Sequence, residues 1–349
     1  MVEEKDLAHL QPDGPPSIPK ICIGIGLGGA HYDVLIRAIS NVLSTKIAEE
    51  TFAQIIHGLP LASVVQDTSD GGLTDDHPIH DAHKELCPGV LEKTREFRRD
   101  VDLSLIKLDS TLIAEYRAAS IGSRSFKTRL VEATAEAIHE IAVQVFNLGT
   151  SLHTSDGIAS WVPPKDDMFW QWYPDGAWPT LFRQPWYQDF EQYPNGLADV
   201  VAFWAESRII GGVVLFDRRH PEASPDVQPD SVWLHPDRYD ITYRIWQLSD
   251  THRQQLLEFL TSETPDLKLL PILPSREDTR REDPEEPIEK TGIYRNIWER
   301  KPLPVDAPDL RLKDVWDQFE YPLKGDFQRA QHRAYNRKDG SSDGDYPYE

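Results

Sequence analysis

Cysteine is nearly absent: Cys22 and Cys87 are the only two in 349 residues. They cannot build a disulfide framework, and neither lies in a C-x-x-C pair, so free thiols in a reducing compartment are expected. Long apolar runs are also missing. None approaches the ~18 residues that a bilayer-crossing helix requires. The first residues, MVEEKDLAHLQPDGPPSIPK, carry acids where a signal peptide would carry bases. A soluble, cytoplasmic protein without a membrane partner is therefore expected. Positive charge is in deficit as well, with 37 Lys and Arg against 58 Asp and Glu and a net charge of −21. That balance repels nucleic-acid phosphates, and no basic stripe interrupts it, so no nucleic-acid partner is expected. Nucleophile and phosphate motifs are lacking: there is no G-x-S-x-G, no P-loop and no DDxxD pattern.

What the chain does have is proline (27 residues) and aromatic residues (10%). The prolines imply many loops and short elements. Apolar residues amount to 39%, enough for a packed core in one main domain. Residues 1–19 are polar and rich in Pro and Gly and read as a disordered leader. Helical spacing follows at Val34, Leu35, Ala38, Ile39, Val42 and Leu43, then over Ala48–His57 with Gly58 as a stop. Helices are predicted again near His80, from Gly89 to Leu108, and after an Asp109 cap. The strongest apolar stripe runs from Ser123 to Leu148.

The second half differs. Trp161–Tyr193 is aromatic and proline-broken. Asn195 is predicted to cap a helix over Leu197–Arg208, and Ile209–Phe216 reads as a buried strand because β-branched residues dominate. Asp230–Trp246 can supply further strands, and Ser249 caps a helix over Asp250–Leu260. Beyond Glu263 prolines and charges take over, with 20 acids and 15 bases in residues 263–349. Within that tail, Ile293–Trp298 and Leu312–Phe319 are apolar islands able to dock on the core or on a partner. The expected fold class is α+β: a helix-rich half over 20–150, a small sheet within 151–262, and an extended C-terminal tail.

Candidate chemistry is scattered. Gly24-Ile-Gly26-Leu-Gly28-Gly29 matches G-x-G-x-x-G before a helix, the setting in which helix N-terminal amides hold a pyrophosphate. No βαβ alternation follows, and Asp67 lies 38 residues beyond Gly29 instead of about 20. A tight turn or close backbone packing explains the glycines equally. Asp75-Asp76-His77-Pro78-Ile79-His80-Asp81-Ala82-His83 is the densest set of metal-ligand types. On a helix from Pro78, His80 and His83 would face one way and could share a metal; a capped polar helix start is the other reading. Glu136-x-x-His139 has the shape of half a di-iron site, without a second half; a solvated helix face is the other reading. Asp199 and Glu206 lie two turns apart on one helix, as a candidate general acid–base pair. The alternative is an ion network with Arg208 and Arg218 that ties helix to strand.

Six of the ten tryptophans fall between Trp161 and Trp204, and the block continues through YPNGLAD (Tyr193–Asp199), Trp204-Ala-Glu206 and GGVVLFD (Gly211–Asp217). With CIGIGLGGAHY at Cys22–Tyr32 and His80-Asp81-Ala82-His83 before Cys87-Pro88, this block resembles a family of ascomycete fungal proteins of uncharacterised activity. The resemblance covers residues 20–260. It implies an accessory enzyme or binding protein near specialised (secondary) metabolism and brings no catalytic residue or cofactor with it. One expectation is a pocket for a small apolar metabolite, lined by Trp170, Trp172, Trp178, Trp186 and Trp204 and polarised by Asp199, Glu206, His80 and His83. The other is an interaction protein whose aromatic stretch and acidic tail dock a protein partner.

Overall fold

A computed structural model describes residues 18–68, 73, 76–153, 156–172, 176–220, 222, 227–228, 231–238, 241–301, 315, 317–321 and 323–338. The leader read over 1–19 lies outside these residues except for its last two positions, and so do Asp75 and half of the 312–319 island.

The apolar stripes become helices with their stop signals in place. Gly29–Leu43 is α1, and Lys46–His57 is α2, capped by Thr45 and ended at Gly58 in the left-handed region. Val90–Asp100 is α3, and Asp109 caps α4, Ser110–Ala118, by accepting the Thr111 N–H. Ser123 caps the 24-residue α5, Arg124–Asn147. The helix predicted over Gly89–Leu108 ends early, at Asp100. Lys107–Asp109 instead forms a strand paired antiparallel with Lys20–Cys22. In the glycine-rich turn after that first strand, a Cβ on Gly26 would lie 2.6 Å from Ile113. Close packing accounts for that glycine.

The centre of the molecule is α6, Leu197–Ile210. Every residue from Ala198 to Ile210 is buried, so this helix has no solvent face. It lies between α5, α2 and the sheet. A helix enclosed on all sides must bond each polar group that it carries inward. Its start differs from the prediction: Gly196 holds the cap position, and Asn195 donates to Asp199 instead of capping. Its end also differs, because Ile209 and Ile210 are the last helical turn and not the start of a strand. Gly211 then turns the chain at φ +116°, where a Cβ would sit 1.9 Å from the Ile272 carbonyl oxygen.

The sheet follows: Val213–Asp217, Val232–His235 and Ile245–Gln247 form antiparallel neighbours, with Arg281–Glu282 on one edge and Ile293–Tyr294 on the other. Ser249 caps α7, Asp250–Thr261. The α+β class, helix-rich first and with a small sheet in the second half, is the fold observed. Both edge strands come from beyond Glu263, where the charged tail was expected to begin. Charge in that stretch masks short strands whose partners lie far back in the chain, Ile245–Trp246 for one edge and Phe216–Asp217 for the other. Farther on, Lys324–Lys338 is helical. No helix among the described residues is long and apolar enough to cross a membrane.

Candidate functional site

Three places gather the residues singled out by the sequence. The first is the ion network on α6. Glu206 is completely buried; its Oε1 accepts the Val214 N–H at 2.7 Å, and Arg295 Nη1 donates to both carboxylate oxygens at 2.9 Å. His139 of α5 stands between the two acids, with Nε2 3.0 Å from Asp199 Oδ1 and Nδ1 3.6 Å from Glu206 Oε2. Asp199 also takes the Asn195 backbone N–H at 2.7 Å and its side-chain amide at 2.9 Å. Arg295 Nε donates to Glu299 at 3.0 Å.

Burial alone would drive the His139 imidazole toward neutrality. The hydrogen bond to Asp199 and the Glu206 carboxylate reverse this and hold it protonated up to about 9. Burial raises Asp199 and Glu206 too, but His139 and Asn195 outweigh it at Asp199, and Arg295 and His139 at Glu206, so both carboxyls stay below their usual range. The arginines expected here are engaged elsewhere: Arg208 pairs with Asp67 at 2.9 Å, and Arg218 pairs with Glu132. Arg295 and Glu299, from the charged tail, close the network, and nothing in the local sequence announces them. The network borders a cleft of about 40 Å³, lined by Glu136, His139, Asp199, Arg295 and Glu299. Burial lifts Glu136 there to about 7 against the Asp109 amide.

The second place is a histidine cluster. The predicted helix from Pro78 is a single turn, Ile79–Ala82, and His83 already leaves helical geometry. His80 and His83 therefore do not share a face. The His80 ring neighbours His77, centroids 6.4 Å apart, whereas His83 stacks on His57 at 4.5 Å and meets His153 at 5.2 Å. One ligand atom each from His57, His83 and His153 lies within 4.8 Å of the other two. The α2 terminus delivers His57. The segment after α5 delivers His153, held by its N–H to the His57 carbonyl at 2.9 Å. Burial keeps His57 down at about 4, with the His83 charge adding to it, and burial keeps His83 below its usual value, so both rings are neutral near pH 7. The spacing 57, 83, 153 matches no sequence motif; only the fold assembles it.

The third place is aromatic. A cleft of about 200 Å³ lies between Trp161 and Trp178, with Leu73, His77, Phe169 and Leu181 in its walls. His77 meets the Trp161 ring edge-on at 4.7 Å, and the Arg183 guanidinium lies 4.1 Å over Trp178. A smaller cavity shares Leu73, Trp178 and Leu181 and reaches Trp204 and Arg183. The expected lining is thus met in part. Trp178 takes its place, Trp204 is core and touches only the smaller cavity, and Trp186 packs on the cluster of Tyr187, Tyr193 and Phe203. Trp170 is half-buried, bonding the Pro164 carbonyl at 2.8 Å, and the Trp172 side chain lies outside the described residues. Asp199, Glu206, His80 and His83 do not line this cleft. Comparison with protein-family models, with curated proteins and with solved structures returned no match to this chain.

Proposed function

We propose that the protein takes a small, largely apolar metabolite in the Trp161–Trp178 cleft, as an accessory enzyme or binding protein of specialised fungal metabolism. The carrying observation is the cleft itself: two indoles and Phe169 provide flat apolar walls, while His77 supplies a polar edge for one end of a ligand. Concave aromatic sites with few polar groups suit such ligands. The resemblance to the fungal family supports the metabolic setting. For Asp199 and Glu206 the geometry favours a fixed ion network over acid–base turnover, because both are ionised and saturated with donors.

The test is titration with the fluorescent probe 8-anilinonaphthalene-1-sulfonate. The native chain should bind it saturably, and Trp178→Ala and the cleft-filling Ala177→Trp should each weaken binding at least about tenfold, with the melting temperature of Ala177→Trp held. Equal binding by all three chains would reject the cleft as the site. A protein partner is the second reading, favoured by Val162, Met168 and Phe190, which stand exposed along the same aromatic stretch.

A further inference from the structure

We propose that His57, His83 and His153 form a binding site for a divalent transition-metal cation of the zinc class. This site is independent of the aromatic cleft. Three arguments carry it. First, each ring offers one nitrogen, and these lie within 4.8 Å of one another. Nitrogens bound tetrahedrally to zinc at ~2.0 Å sit roughly 3.3 Å apart, so the nitrogens need to approach one another by at most about 1.5 Å.

Second, the outer nitrogens are already engaged in the manner of metal-bound histidines. His83 Nδ1–H donates to the Pro60 carbonyl at 2.7 Å, which fixes the tautomer and leaves the lone pair on Nε2. His153 bonds Asp156 through Nε2, a carboxylate–histidine pair that leaves the lone pair on Nδ1, with Cys87 Sγ beside it at 3.9 Å. Third, His83 is only 3% exposed, yet its Nε2, the nitrogen that carries the lone pair, has no hydrogen-bond partner. Buried imidazole nitrogens are normally satisfied, and an unpartnered lone pair within a cluster of three rings points to a missing cation.

Cys87 stands at the edge of the trio, its Sγ 3.9 Å from His153 Nδ1 and its N–H 3.3 Å from His57 Nε2. A fourth ligand would approach from that side. The surroundings are preassembled. A Cβ on Gly58, which follows His57 at φ +98°, would lie 2.3 Å from Ser151 Oγ, and that hydroxyl donates to the His153 carbonyl at 2.9 Å. The segments carrying His57 and His153 are thus packed together without the ion. His80, the other histidine of the sequence motif, is outside the group.

The experiment uses the full chain, stripped with chelator and titrated with zinc chloride by calorimetry, with bound metal counted by mass spectrometry. The native chain should take up one equivalent and gain thermal stability. His83→Gln and His153→Gln should lose that uptake, whereas His80→Gln should keep it. Asp156→Asn leaves all three rings in place and should weaken zinc about 10- to 100-fold. That variant decides the matter if the histidine variants do not fold. Absence of stoichiometric uptake by the native chain, or native-like affinity in Asp156→Asn together with His83→Gln, would overturn the proposal.

Discussion

Replacing Glu206 with Gln is the sharpest perturbation of the buried network. The substitution keeps shape and one carbonyl oxygen, so the Val214 N–H at 2.7 Å can still be accepted. The other end becomes an NH2 donor facing two donors, Arg295 at 2.9 Å and the protonated His139 at 3.6 Å. Both cations then lose their shared anion in a place with no exposure to water. Removing one partner of a buried ion pair typically costs about 3–5 kcal/mol. For a chain of this size that amounts to a fall of roughly 6–15 °C in melting temperature. Glu299→Gln is the internal control. Its Oε1 can keep the bonds from Arg295 and Asn296, and its other oxygen has no partner to lose. Arg295 keeps Glu206 as its counter-ion in that variant, so it should cost less than Glu206→Gln, about 1–2 kcal/mol. Thermal melts and urea titrations of both variants measure the difference. If Glu206→Gln melts within about 2 °C of the native chain, roughly the effect of 1 kcal/mol or less, the network is not a structural strut and the reasoning fails.

Other outcomes follow from the same geometry. His139 has a folded value of about 9, against ~6.5 unfolded. Its contribution is therefore complete below about pH 6.5 and is lost as pH rises through 9, a loss on the order of 3 kcal/mol. Urea stability should decline across that window in the native chain and much less in His139→Gln, in which Asp199, Glu206, Arg295 and Glu136 remain. Glu136, raised to about 7, adds a decline of the same sign between its unfolded value of ~4.3 and 7; Glu136→Gln should flatten that part of the profile. Gly211→Ala forces a Cβ to within 1.9 Å of the Ile272 oxygen at φ +116°. It should cost at least about 3 kcal/mol, seen as loss of soluble folded chain, whereas Gly122→Ala, with open space around it, should cost about 1 kcal/mol.

The helices were legible because their signals are local. The stripe and Ser123 cap of α5, the Gly58 stop and the Ser249 cap all act within one or two turns. The strands were less so. Lys107–Asp109 and both sheet edges are two or three residues long, too short for an alternating pattern to register. The sites were legible only in fragments. Asp199 and Glu206 were placed together, but Arg295 and Glu299 reach them from a segment whose charge suggested solvent. His83 was singled out with His80 because a continuous helix would align them, and the chain leaves helical geometry at His83. Its ring neighbours, His57 and His153, lie 26 residues before and 70 after it, beyond any local spacing rule.

The ligand cleft is tested most directly by the indole N–H resonances of the tryptophans in a two-dimensional nitrogen–proton spectrum, recorded while a panel of small aromatic fragments is added. The account predicts saturable shifts concentrated on Trp161 and Trp178, with the buried Trp204, Trp233 and Trp246 unmoved and the Trp178 response abolished in Ala177→Trp. Fragments that leave Trp161 and Trp178 untouched, or that shift the tryptophans indiscriminately, would contradict it.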